Sequence, residues 1–461
     1  MLEFCVPCAL CFELLGGHVI ARSRSFALWL LFGINLLNFF DRQILAAVTE
    51  PLRLEWSLTD TQLGWLVTAF TLLYAAVGLP LGRLADVWRR NLILTAGLTL
   101  WSGLTFLSGF CRSFWPLFAA RLGVGVGEAS CAPAASSLIG DLFRPQERAR
   151  AMSVFMLGLP VGVALSYLVG GAVAQHYGWR AAFYLAGIPG LLLAAAALFL
   201  AEPPRGRSEA TEVGSERRPG SPIKLVLGIP TMRWIIASGL LHNFIMYALT
   251  FFLPSFLVRY HRTTVQMAGL VSALVVGTVG ALGMLVGGWL GDAAKNRRQN
   301  GRMLVAGTAV LLAVPAGFFA LLAPAGALPA FIVLQGLAAF LMYTYYATVY
   351  ATIHDIVEPT LRGRAMAIYF FAMYMLGASM GPVATGRLSD FFARRVAGAT
   401  PVTEQFRALG LHQAMYLVPL LTLLLAAVLF LGARTVRKDM DRLQGWMKRL
   451  NAEGAEGAEK N

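Results

Sequence analysis

The sequence predicts an all-α polytopic membrane protein of twelve transmembrane helices, arranged as two six-helix halves. Three observations carry this. Of the 461 residues, 57% are hydrophobic and only 13% are charged, whereas an ordinary soluble domain carries about 25% charge. Apolar runs of roughly 20 residues, each able to cross a hydrocarbon core of about 30 Å, recur along the chain. Two short polar motifs occur twice in the same order, on either side of one long polar segment. The runs are continuous and not ten-residue alternations, which excludes a transmembrane β-barrel.

The elements follow in order. Residues 1–25 form an N-terminal tail holding Cys5, Cys8 and Cys11, with His18 as the one nearby fourth ligand. That set is too sparse for a zinc knuckle, so no metal is expected. The tail also lacks the basic start of a signal peptide. Spans near 26–48, 60–81, 92–111, 115–140, 152–174 and 181–200 build an N-terminal bundle over 26–201. The stretch "EPPRGRSEATEVGSERRPGSP" is rich in Pro, Gly, Ser and charge and reads as a flexible linker over 202–231. Spans near 233–257, 266–290, 304–323, 329–353, 366–392 and 410–433 build a C-terminal bundle over 232–435. The tail 436–461 is basic and amphipathic at first and acidic after Asn451, a pattern suited to a membrane surface.

A formal charge of +14 taken alone would suggest nucleic acid. Its distribution points elsewhere. With the N-terminus in the cytoplasm, most of the 38 Lys and Arg fall in cytoplasmic segments. That is the positive-inside bias, and it places both termini in the cytoplasm. The basic residues are therefore topogenic and no nucleic-acid partner is expected. Short loops favour a bacterial inner (plasma) membrane.

The repeat supplies the function class. "GRLADVWRR" (82–90) after the second span is echoed by "GWLGDAAKNRR" (288–298) after the eighth. "RARAMSVFMLG" (148–158) after the fourth is echoed by "RGRAMAIYFFAMYMLG" (362–377) after the tenth. Such duplicated units build transporters whose binding site lies at the midplane. Gly82 is expected to let helices approach closely. Asp86 is expected to meet a helix N-terminus. Arg89 and Arg90 are expected to bridge acidic partners in one conformation and release them in the other. Asp292 occupies the matching frame of the second half. Gly82, Asp86, Arg90 and Asp292 are thus the candidate gating residues.

These two "G-x-L-x-D" loops, the six-plus-six layout and "RLGVGVG" from Arg121 resemble the major facilitator superfamily across nearly the whole chain. "NFFDRQILAAV", "SLTDTQLGWLVTAF", "RLGVGVGEASCAPAASSLIGDLF" and "GLPVGVALSYLVGG" narrow the resemblance to the Spinster family, whose members move lysolipids and sphingoid phosphates. The resemblance implies alternating access, with the first and fourth helices lining one cavity.

Four charged side chains fall well inside spans: Asp41, Arg42, Arg121 and Glu128. Each costs at least about 2.5 kcal/mol at the bilayer centre on insertion scales, so such residues are functional or paired. Arg121 and Glu128 are seven apart and share a helix face, whereas adjacent Asp41 and Arg42 diverge by about 100°. Because the resemblance implies that the first and fourth helices line one cavity, one of each pair is expected to meet. Burial opposes the charged form of a carboxyl and a nearby arginine favours it, which makes Glu128 and Asp41 candidates for proton coupling. Arginine keeps its charge and grips phosphate or carboxylate oxygens in a fork, so Arg42 and Arg121 are candidates for an anionic headgroup. The alternative is a structural ion-pair cluster joining two helices.

The second half has no charge at that depth. Its candidates are Asn243, Tyr247 and Tyr343, with Tyr167 added from the Spinster-like fifth span. His242, Tyr345, Tyr346, Tyr369 and Tyr374 lie nearby, and for any single one packing is the simpler role. The expectation is a secondary transporter of a lysophospholipid-like or sphingoid-phosphate-like amphiphile, acting as a monomer, driven by a proton gradient and using no cofactor. A symporter of a small organic anion and a drug–proton antiporter are the alternatives within the class. A membrane enzyme is not expected: the six His are scattered, and no nucleophile elbow, P-loop or zinc-binding His pair occurs. A channel or receptor on the same scaffold would lack saturable, gradient-driven accumulation.

Overall fold

The computed structural model describes residues 24–204, 221–358 and 361–459. The expectations for Cys5, Cys8, Cys11 and His18, and those for linker residues 205–220, lie outside them. Among the described residues every regular element is helical. In order these are α1 (Arg24–Trp56), α2 (Asp60–Val87), α3 (Arg90–Ser108), α4 (Phe114–Glu128), α5 (Cys131–Leu142), α6 (Pro145–Tyr177) and α7 (Trp179–Ala197). There follow α8 (Pro222–Leu227), α9 (Pro230–Arg259), α10 (Val265–Ser272), a π-helical segment (Ala273–Val279), α11 (Gly280–Arg297), α12 (Gly301–Leu322) and α13 (Leu328–Ile356). The last are α14 (Arg362–Ala372), a second π-helical segment (Met373–Ala378), α15 (Met380–Ala397), α16 (Glu404–Met415) and α17 (Leu417–Glu459).

Ten of the helical stretches among the described residues are long and apolar enough to cross a membrane. Two expected spans are not among them, and both carry the intramembrane charges. The first lies in α1, which holds Asp41 and Arg42. The fourth is split into α4 and α5 around Ala129 and Ser130. Pro133 explains the break, because it has no N–H to offer the carbonyl four residues earlier. Large apolar side chains point outward along the spans: Leu192, Leu285, Trp289 and Val333 are 68%, 69%, 70% and 69% exposed. In water that much apolar surface would drive association; against lipid it is matched.

The chain divides into two compact units. Unit 1 comprises residues up to Ser57 together with Ala69–Val213. Within it α1 packs along α6 and α7, and α3 lies against α7, α4 and α5. Its core includes Leu31, Phe70, Leu98, Trp101 and Phe155. Unit 2 comprises Leu58–Thr68 and the chain from Gly214 on. Here α13 packs on α11 and α12, α9 packs on α15 and α17, and α12 packs on α17. Its core includes Met303, Val310, Tyr345, Tyr369 and Leu425.

The opening residues of α2 are sewn into unit 2 by charge. Arg259 at the end of α9 donates to both oxygens of Asp60 at 2.9 and 2.8 Å, and Ser389 Oγ donates to Asp60 Oδ2 at 2.6 Å. Asp390 accepts from the first free N–H groups of α2, those of Asp60 and Thr61, at 3.1 and 2.9 Å. A carboxylate at a helix N-terminus meets the positive end of its dipole.

Three features depart from expectation. Part of the linker is helical, as α8, where Pro222 occupies the first turn and Gly228 ends the helix. The tail expected from 436 continues α17 without a break, because no proline interrupts it. Two spans of the second half contain π-helical turns in place of uniform α-helix.

Breaking a buried ion pair leaves one charge uncompensated and costs roughly 3–5 kcal/mol, while an exposed pair contributes about 0–1 kcal/mol. Asp60 and Arg259 are 1% and 3% exposed, whereas Asp292, paired with Arg302, is 68% exposed. Asp60→Asn is therefore expected to lower the thermal unfolding midpoint in detergent by several degrees and Asp292→Asn to leave it nearly unchanged. Differential scanning fluorimetry of the two variants checks this.

Candidate functional site

The run from Arg121 to Glu128 is shaped by its glycines. A Cβ on Gly125 would come within 2.5 Å of the Phe70 carbonyl oxygen, and one on Gly127 within 2.7 Å of that of Gly97. Both contacts are with backbone, which cannot swing aside. The alternating glycines thus bring α4 onto α2 and α3 and set Glu128 at the end of α4, fully buried in unit 1.

Four intramembrane charges converge there. Arg42, in α1, donates to Glu128 Oε2 through Nε at 3.3 Å and Nη2 at 3.1 Å, and reaches Asn38 Oδ1 at 3.4 Å. Glu128 Oε1 has no hydrogen-bond partner among the described residues. Asp41 leaves α1 on a different side, as adjacent residues must, and accepts from Thr105 Oγ1 of α3 at 3.3 Å. Its Oδ1 has no partner among the described residues, and Glu128 and Arg121 are its electrostatic neighbours. Arg121 is 1% exposed, and its Nε and Nη1 make no hydrogen bond among the described residues. Phe70 serves both arginines: its ring lies 5.1 Å from the Arg121 guanidinium carbon and 5.4 Å from that of Arg42. Tyr74 covers Arg42 at 4.5 Å. Such contacts stabilise a cation that has left water.

The cluster therefore joins one residue of each expected pair, Arg42 and Glu128, and leaves Arg121 with unsatisfied donors beside them. Unsatisfied buried donors and acceptors are costly in a low-dielectric site. An anion is what a buried arginine with two open N–H directions binds. A proton is what a carboxyl held among competing charges exchanges.

Tyr167 is fully buried and donates to Gln43 Oε1 at 3.2 Å. In unit 2, Asn243 is buried and donates back to the Gly239 carbonyl at 3.1 Å, a bond within its own helix. Tyr247 and Tyr343 are half-buried. His242 is packed: its ring stacks on Tyr345 at 4.0 Å, and Nε2 meets the Met342 carbonyl at 3.1 Å.

The gating candidates separate. Arg90 is fully buried and pairs within unit 1 with Asp141 and with Glu202, the latter at 2.7 Å, and it also donates to the Pro203 carbonyl at 2.7 Å. Asp292 pairs with Arg302, which also bonds Asp355. Gly82 does not mark a close approach, because a Cβ there would meet nothing within 4 Å. Asp86 is exposed, and the described residues give it neither a hydrogen bond nor an ion pair. The expectation of contacts at Gly82 and Asp86 is corrected: a motif marks the loop, but packing decides which of its members touch anything.

Several participants were not foreseen. Thr105, Asn38, Phe70 and Tyr74 carry no signal beyond being polar or aromatic in a span. Asp60 and Arg259 stood at expected span ends, where charge is ordinary, and so drew no notice. Glu50 and Arg53 extend the buried charge further along α1, bonded at 3.0 Å and 5% and 2% exposed.

Gly127→Ala is expected to lower the thermal midpoint and the yield of folded protein, because neither Gly97 O nor Trp101 N can retreat. Gly82→Ala, in open space, is expected to be neutral or to stabilise by about 0.5–1 kcal/mol. Melting curves of the two variants separate the roles of these glycines.

Residues 31–382 match the Major Facilitator Superfamily model. An MFS-type efflux pump of Mycolicibacterium smegmatis is 29% identical over 409 residues, covering 88% of this chain and 92% of the pump. The sphingosine-1-phosphate transporter SPNS2 of Xenopus tropicalis is 26% identical over 408 residues, covering 85% of this chain and 78% of its own length. A bacterial homologue of the human lysosomal transporter Spinster, solved inward-facing and unoccupied, superposes with a TM-score of 0.83 at 28% identity, covering 91% of this chain and 98% of that one. Long apolar helices in two units, a buried charge cluster, and these likenesses converge on one conclusion: the chain belongs to the major facilitator superfamily and is a membrane transporter of the Spinster type.

Proposed function

We propose that the protein is a secondary active transporter of an amphiphilic lipid with an anionic headgroup, such as a lysophospholipid or a sphingoid phosphate, coupled to protons. The observation that carries this reading is Arg121, buried with two nitrogens, Nε and Nη1, that lack a hydrogen-bond partner among the described residues, beside the Arg42–Glu128 pair. Arg121 holds the phosphate or carboxylate oxygens, and Arg42 joins it when Glu128 takes a proton and lets go. Asp41, with an open oxygen beside Glu128 and Arg121, passes the proton on. Proton uptake by Glu128 thus frees Arg42 for the substrate, so each binding event favours the other, which is what couples their movement. The name of the Xenopus relative, a sphingosine-1-phosphate transporter, supports a lipid of this kind. Arg90 and Asp292 steady the loops that flank the site while access alternates. The protein works as a monomer in the bacterial inner (plasma) membrane with both termini in the cytoplasm, and the proton gradient takes the place of a cofactor.

A second reading is favoured by the mycobacterial relative, named as an efflux pump: proton-driven export of small amphiphilic or anionic compounds from the same charge cluster.

Uptake of a labelled lysophospholipid into proteoliposomes, with and without an imposed pH gradient, tests the proposal. Glu128→Gln keeps the hydrogen-bonding shape but carries no proton, and it is expected to abolish the gradient-dependent component while leaving lipid binding intact. Arg121→Gln is expected to weaken binding itself by tenfold or more, since a charge-assisted contact is lost. Gradient-driven uptake that survives Glu128→Gln would overturn the proton role, and lipid-independent transport of small anions would favour the second reading.

A further inference from the structure

Unit 2 carries a face of tyrosines that the charge cluster does not use. Tyr247 of α9, Tyr343, Tyr346 and Tyr350 of α13, and Tyr374 of the second π-helical segment are all half-buried in mid-span. The other four are electrostatic neighbours of the Tyr346 hydroxyl. The rings stand steeply to one another: Tyr346 lies 5.7 Å from Tyr343 at 62° and 5.7 Å from Tyr350 at 73°, and Tyr247 lies 6.3 Å from Tyr374 at 89°. No hydrogen bond to a described residue is made by the hydroxyls of Tyr343 or Tyr346, whereas Tyr350 is tied by a hydrogen bond to Tyr369 of the layer behind. There Tyr345 bonds Ser238 at 2.8 Å and Tyr369 at 3.1 Å.

The backbone is built around this face. The π-helical segment Ala273–Val279 ends beside Gly280, where a Cβ would meet the Tyr343 ring at 2.9 Å. The other π-helical segment, Met373–Ala378, carries Tyr374 itself. Single π-helical turns concentrate at functional sites. His242, fully buried, has its ring edge-on to Tyr346 at 4.7 Å and 82°. With Nε2 directed at the Met342 carbonyl, Nδ1 keeps a lone pair that meets no hydrogen-bond donor among the described residues.

Every one of these features is electron-rich. Ring faces, phenol oxygens and an imidazole lone pair meet where residues 234–257, 266–290, 329–353 and 365–386 contain no Asp, Glu, Lys or Arg. A wall for an acyl chain needs neither hydroxyls nor a lone pair. A cation that has left water is held by such a set without a carboxylate. We propose that the tyrosine face of unit 2 is a binding site for an organic ammonium group. The inference goes beyond the transport reading by giving unit 2 a ligand of its own, and binding is read without transport, so either can fail alone.

The test is isothermal titration of the purified full-length protein with choline and with its neutral isostere, in which carbon replaces the quaternary nitrogen. Choline is expected to bind and the isostere to bind at least about tenfold more weakly, the usual scale of a desolvated cation–π contact. Tyr346→Leu is expected to erase that difference and Tyr346→Phe, which keeps the ring, to retain most of it. Saturating inorganic phosphate, an anion of the kind the charge cluster would hold, should leave choline binding unchanged, separating this site from that cluster. Lysophosphatidylcholine binding more tightly than lysophosphatidate, with the gap closing in Tyr346→Leu, assigns the ammonium to a lipid headgroup; choline binding without that gap assigns it to a free small cation. Equal binding of choline and its isostere, or no binding of choline and no lipid preference by protein that elutes as a single folded peak, overturns the proposal.

Discussion

The structure of unit 1 turns on one contact, the ion pair between Arg42 of α1 and Glu128 of α4. Both groups are nearly or wholly buried, and two isolated charges there would each cost several kcal/mol. Their pairing offsets part of that cost, and the rings of Phe70 and Tyr74 offset more on the arginine side. The alternating glycines of α4 matter because they bring Glu128 close enough to be reached. A cluster of this kind adds little net stability compared with an apolar core of the same volume.

The two units answer the same problem in opposite ways. Unit 1 buries charge at mid-span and satisfies only part of it, leaving donors on Arg121 and acceptors on Asp41 and Glu128. Unit 2 excludes charge from mid-span and relies on phenol and imidazole chemistry. The formal charge it does bury lies near helix ends, where Arg259 and Asp60 close over Ser389. Polarity in a membrane protein is expensive, so each placement narrows what the face can recognise.

Flanking loops contribute in a different manner. Arg90 and Arg302 each gather two carboxylates within their own units. These ion pairs tie the N-terminal turns of α3 and α12 to neighbouring segments of their own units.

Length, charge and periodicity in the sequence determined the helical membrane fold, its duplicated plan and the identity of the four mid-span charges, because a bilayer leaves few places for a charge to be. That one residue of each pair would meet was legible; which one, and which polar atoms stay without a partner, was not. Which of Asp41 and Arg42 reaches Glu128 depends on the rotation of α1 against α4. The close approach of Gly125 and Gly127 to the backbone of α2 and α3 fixes where α4 presents Glu128. Gly82, equally conspicuous as a letter, faces open space. The partners Thr105, Arg259 and Ser389 come from contacts between residues far apart in the chain. A linear pattern records which residues are present; only tertiary packing decides which of them share a site.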